Sequence, residues 1–170
     1  NALTANTEGS YNVAIGQSTL STNVLGSKSV GIGYAALGSQ NPASAVDMYN
    51  VAIGHSAGQG MTTGVNNVLI GGQAGDAIAA GSHNVAIGRH ALSTEDGHGR
   101  NVAIGYYALA AQNAGADGYN VAIGMEAGTA VTTGIYNTLI GAKAGDALTT
   151  GGRNVAIGYL ALSTEDAHGK

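Results

Sequence analysis

The amino-acid sequence predicts an all-β fold, a parallel β-roll or β-solenoid, and three observations carry that reading. A five-residue block recurs nine times at near-constant spacing, each block alternates like a strand and ends in Gly, and the intervening residues are those of turns. The block reads Asn-Val-Ala-Ile-Gly from Asn12, Asn50, Asn84, Asn101, Asn120 and Asn154, with variants from Ser29, Asn67 and Asn137. Successive starts lie 17, 21, 17, 17, 17, 19, 17 and 17 residues apart. A period this regular makes each repeat one unit stacked on its neighbours. Residues 1–170 therefore read as a single array of about nine 17-residue coils.

Within a coil, numbered from its Asn, position two is Val except at Thr138, and position four is always Ile. Residues two apart share one face of a strand. This predicts a structural core built on Ile15, Ile32, Ile53, Ile70, Ile87, Ile104, Ile123, Ile140 and Ile157, with the middle residue pointing the other way. Position five is always Gly, as suits a tight turn or close backbone approach. Positions six to ten hold Ala at eight (Thr19 excepted) and Leu or Gly at nine, and read as a second short strand. The remaining Gly, Thr, Ser, Asn and Asp are turn chemistry. Asn12, Asn50, Asn67, Asn84, Asn101, Asn120, Asn137 and Asn154 would form a ladder, each amide bonding its equivalent one coil along.

A longer period overlies the short one. Residues 50–100 align without a gap to 120–170, an offset of 70, so the array is a repeated four-coil unit. The coils starting at Ser29 and Asn101 carry loops longer by four and two residues, at Ser39–Met48 and Gln112–Gly118. The pattern runs to both ends, which predicts a piece of a longer array.

Composition narrows the function. The chain has 29 Gly, no Cys, Trp or Phe, and a net charge of −4. That excludes a disulfide framework, a thiolate metal site and a Cys nucleophile, and it offers no basic surface for nucleic acid. No run of about 18 apolar residues is present to insert into a bilayer. One small coil encloses few side chains and leaves a broad apolar face, which packing three rolls about an axis would bury. The small residues Ala14, Ala52, Ala86, Ala103, Ala122 and Ala156 suit such an interface, and equally suit tight packing inside one roll.

The unit NVAIGxxAL with Gly-rich polar spacers resembles NTAIGYQAL-type repeats of bacteriophage tail fibres and related bacterial surface proteins. It also resembles the SVAIG coils of the YadA-like trimeric autotransporter adhesin head, though its 17-residue period is longer than that head's. The likeness covers the whole chain. It implies a left-handed, homotrimeric roll in an extracellular attachment fibre, on a virion or cell surface. The alternative is a bacterial surface filament or adhesin head that binds host or surface receptors.

No catalytic residue, cofactor or metal emerges, so the chain reads as no enzyme. It lacks GxSxG, HExxH and a phosphate loop, and its carboxylates avoid the strand positions. Glu95, Asp96 and His98 recur as Glu165, Asp166 and His168, but in Gly-flanked loops where short polar runs face water. Asp76 and Asp146 sit in Gly-Asp turn steps. Thr pairs at 62–63, 132–133 and 149–150 are too intermittent for an ice-binding rank. Tyr11, Tyr49, Tyr119 and Tyr136 precede the Asn, while Tyr34, Tyr106 and Tyr159 follow the Gly; both columns suit a glycan, or simply cover adjacent coils. The partners expected are the chain itself and a host-surface glycan or protein receptor. Gln40, Asn41 and Asp47, matched by Gln112, Asn113 and Asp117, are the candidate contact residues, because solenoid insertions collect on binding faces.

Overall fold

The computed structural model describes residues 1–95 and 97–164. Eleven strands follow in chain order: β1 (Val13–Ile15), β2 (Gly26–Ser27), β3 (Val30–Ile32), β4 (Val46–Asp47), β5 (Val51–Ile53), β6 (Val68–Ile70), β7 (Val85–Ile87), β8 (Val102–Ile104), β9 (Val121–Ile123), β10 (Thr138–Ile140) and β11 (Val155–Ile157). Nine of them, one per coil, form a single parallel sheet in the order β1-β3-β5-β6-β7-β8-β9-β10-β11, while β2 and β4 make a separate parallel pair. Every rung of the large sheet is in register, Val over Val and Ile over Ile, with Thr138 in the Val column. The protein is therefore a parallel β-solenoid with about 17 residues per turn, and no helix is present among the described residues.

Each strand of the large sheet is only three residues long because the next residue turns. Gly at position five has φ between 124° and 138° in every coil, and a Cβ on any of those from Gly16 to Gly141 would run into the carbonyl of the Gly stacked beside it. The segment after it is a turn, not the second strand that the sequence suggests. Its residues at positions seven and nine, such as Ala35 and Leu37 or His90 and Leu92, adopt left-handed backbone conformation, as does the residue before each Asn. Among the described residues, none of the 24 left-handed non-glycine residues is β-branched, which fits the steric cost of that region for Val, Ile and Thr. These residues aim amides along the stack: Ala35 N donates to Gln17 O at 2.9 Å, and Tyr136 N to Gly118 O at 2.8 Å.

The core lies on the opposite side of the strand from the one expected. The middle residue of each strand points inward, and Ala52, Leu69, Ala86, Ala103, Ala122 and Leu139 are fully buried. They pack on Ala at position eight, on Leu20, Leu37, Leu92 and Leu109 at position nine, and on Met61, Ile78, Val131 and Leu148 at position twelve. The Ile column points outward: Ile53 and Ile123 are 37% exposed, the end residues Ile15 and Ile157 are more so, and Ile32, Ile70, Ile87, Ile104 and Ile140 are half-buried by their stacked equivalents. The tight left-handed turns bring positions eight and nine directly under position three, leaving room there for Ala but not for a row of β-branched chains. The alanines suggested for an interface between rolls consequently sit inside one roll.

Candidate functional site

The Asn column is fully or almost fully buried from Asn50 to Asn154. Its rungs run mainly through the backbone. The side-chain Oδ1 of one Asn accepts from the backbone N–H of the next, as in Asn84 N to Asn67 Oδ1 (2.9 Å) and Asn137 N to Asn120 Oδ1 (2.8 Å). The Nδ2 typically donates to a turn carbonyl fourteen residues on, near the end of the same coil, as Asn50 does to Gly64 O (2.7 Å) and Asn137 to Gly151 O (2.9 Å). Direct amide–amide rungs occur at Asn67–Asn50 (3.2 Å) and Asn154–Asn137 (3.0 Å). The column thus ties strand to turn, a structural role.

Two of the residues picked for partner contact, Gln40 and Gln112, are fully buried. They occupy position twelve, which faces inward in every coil where that position is described, and the extra loop residues come after them. Gln40 repairs the ladder where Ser29 replaces Asn: its Oε1 accepts from Ser29 Oγ and from Asn50 Nδ2, both at 3.1 Å, and its Nε2 donates to Asn23 Oδ1 at 3.2 Å. Gln112 Oε1 accepts from Asn120 Nδ2 at 2.9 Å. Asp47 and Asp117 are exposed but engaged. Lys28 Nζ donates to Asp47 Oδ2 at 2.8 Å and Tyr49 Oη to the same oxygen at 3.2 Å; Arg100 Nε donates to Asp117 Oδ2 at 2.7 Å. The hydrogen bond from Lys28 holds the Asp47 carboxyl below the usual carboxylate range, that from Arg100 does the same for Asp117, and both cations are pushed up in return. Asn41 and Asn113 are exposed, and their backbone amides donate to Thr62 O (3.0 Å) and Thr132 O (2.8 Å). What the loops offer to solvent beyond these is Ala43–Val46 and Gly115–Ala116.

The aromatic columns are built differently from what sugar stacking needs. Tyr119 and Tyr136 stack with ring centroids 5.2 Å apart and planes 9° off parallel, Arg100 lies 5.6 Å from the first ring and Arg153 5.9 Å from the second. Arg-Tyr-Tyr-Arg is a four-layer stack along the coil axis that occupies both faces of each ring. Lys28 likewise lies over Tyr49 (5.2 Å), and Tyr34 stacks on His55 (5.1 Å). The cations of this column escape a reading that looks for aromatics alone, although Lys28, Arg100 and Arg153 stand in the same register as the tyrosines, each directly before a coil start.

Of the recurring acidic cluster, Asp96, Glu165, Asp166 and His168 lie outside the described residues. Glu95 is buried and accepts from His98 N at 3.2 Å. Asp76 is half-buried in its turn, and burial pushes its carboxyl up; its carbonyl accepts from Gly60 N at 2.8 Å. No group of three or more His, Cys, Asp or Glu that could hold a metal ion occurs among the described residues.

One continuous feature of the surface is apolar. The outward Val and Ile of all nine strands, with Thr138 among them, form two parallel columns on one face. At a strand spacing of about 4.8 Å the strip runs roughly 40 Å. Comparison with protein families, with curated proteins and with solved structures finds no match to this chain.

Proposed function

We propose that the chain is a structural and adhesive, non-catalytic segment of a homotrimeric extracellular attachment fibre, such as a phage tail fibre. The observation that carries the proposal is the outward Val/Ile strip. With a width of about 10 Å, it amounts to roughly 400 Å² of nearly pure aliphatic surface, in the size range of the patches that mark interaction sites. The strip is in register from β1 to β11, so three copies set about a common axis would bury it. Tyr and Arg line the turn that leads into it, a composition favoured at interfaces between proteins. Sedimentation equilibrium at micromolar concentration is expected to give three times the 16.6 kDa chain mass; a monomer mass overturns the proposal.

Attachment itself is assigned to the exposed part of the two long loops, including Asn41 and Asn113, since their Gln and Asp residues serve the coil. Deleting Ala43–Val46 and Gly115–Ala116 returns both coils to the 17-residue period while keeping Gln40, Asp47, Gln112 and Asp117 in place. The trimmed protein is expected to remain assembled and to lose adherence to cells. Full adherence by the trimmed assembly places the contact elsewhere.

A further inference from the structure

A shallow groove of about 260 Å³ lies at the turn preceding β10 and β11, lined by Ile135, Tyr136, Gly152 and Arg153. Its floor is closed backbone, because Arg153 N donates to Ile135 O at 3.0 Å. Gly152 leaves it open, since position sixteen carries a side chain in most other coils, as Ser27, Val65, Ser82 or Ile135. One wall is the aliphatic Ile135 and the edge of Tyr136, which is 48% exposed. The other is Arg153, held over the Tyr136 ring.

Arg153 differs from the two other cations of its column. Lys28 and Arg100 are each neutralised by a loop Asp at 2.8 and 2.7 Å, whereas among the described residues Arg153 has no carboxylate partner. A guanidinium that stacks on a ring through its face keeps its N–H edge for an anion. A planar fork of this kind binds a carboxylate through two parallel hydrogen bonds. The groove falls just short of the roughly 300–1,000 Å³ of pockets for drug-sized ligands, which suits one sugar ring.

The geometry points to a binding site for an acidic saccharide, with the carboxylate of one uronate ring on Arg153 and its C–H face on Ile135. This rests on the attachment reading and adds a second contact to the one assigned to the two long loops. It requires no face-on stacking on Tyr136, whose faces are occupied.

The test is calorimetric titration of the assembled protein with a hyaluronate hexasaccharide, in which glucuronate alternates with N-acetylglucosamine, beside the neutral hexamer of N-acetylglucosamine. The acidic ligand is expected to bind at least about tenfold more tightly and to weaken on raising salt, as an exposed charge contact does. Arg153→Gln, a surface change, is expected to remove that preference, while Arg100→Gln, at a site already paired to Asp117, leaves it. No binding of hyaluronate, equal binding of the neutral hexamer, or an unchanged Arg153→Gln variant overturns the proposal. Adherence to cells is measured in parallel: an Arg153→Gln protein that adheres fully sinks the saccharide site and leaves the attachment reading standing. Hyaluronate binding by a protein that adheres to no cell sinks the attachment reading alone.

Discussion

Leu69 and Leu139 occupy space that two glycines each leave open. A Cβ on Gly58 would lie 2.6 Å from Leu69 Cδ1, and one on Gly128 2.7 Å from Leu139 Cδ1. Where position nine is Leu the strand centre is Ala or Gly, and where it is Gly a strand-centre Leu fills the gap from the same or the next coil. One strand-centre Leu thus stands in for the two Leu that position nine supplies in a neighbouring pair of coils. The backbone permits the exchange, because Leu37 and Leu92 hold φ of 52° and 53° where Gly58 holds 59°. Leu69→Ala is expected to cost about 2–5 kcal/mol. Gly58→Leu alone overpacks the same site, at about 1–3 kcal/mol. In the Leu69→Ala background, however, Gly58→Leu should become stabilising, with a coupling of at least about 1 kcal/mol across the cycle. Additive costs in thermal or denaturant unfolding would show that the two residues do not share one space.

At the scale of the element, the two longer loops are fastened by a recurring pair of devices, an inward Gln and an outward Asp. Their shared pattern was legible in the sequence, but its meaning was not. Position twelve varies through Asn23, Gln40, Met61, Ile78, Glu95, Gln112, Val131 and Leu148, so no repeat of hydrophobicity reveals that all eight point inward. The Asp–cation latch spans 19 residues in one unit and 17 in the other, visible only once the coils are stacked. The pH dependence of the latch follows from its charges. Asp47 titrates below its unfolded value, so its contribution is present above about pH 4 and is lost as pH falls through the lowered folded value. Lys28 titrates above its unfolded value, so its share holds below about pH 10 and goes as pH rises further. Both side chains are exposed, which makes the effect local. The Met48 amide, bonded to Ser27 O at 2.9 Å, is expected to lose hydrogen-exchange protection near pH 3 while Val68 in β6 keeps its own. Asp47→Asn should reproduce the loss at pH 6. Equal Met48 protection in that variant means that the backbone pairing, not the ion pair, fixes the loop.

For the whole molecule, the stacked parallel coils were legible because nine blocks in register leave few other ways to satisfy the backbone. Which side of the strand faces in was not. A strand whose two faces are Val/Ile and Ala offers no polar residue to break the tie, and a shift of one residue exchanges every side chain between faces. The coil width decides it, and that width depends on left-handed turns that the composition hints at without locating. The resulting orientation separates two variants that adjacent sequence positions would suggest are alike. Ala86→Asp places a charge in the fully buried interior of one roll, where desolvation without a partner costs several kcal/mol, and it should abolish folding. Ile87→Asp sits on the outward, half-buried face. A single roll can hydrate that carboxylate, so the coil should persist, with its β-type circular dichroism intact. In a trimer the same substitution gathers three like charges on the buried axis, and the assembly should dissociate to chain mass. An Ile87→Asp protein that stays trimeric with unchanged thermal unfolding would show that the Val/Ile strip is not the surface on which the rolls meet.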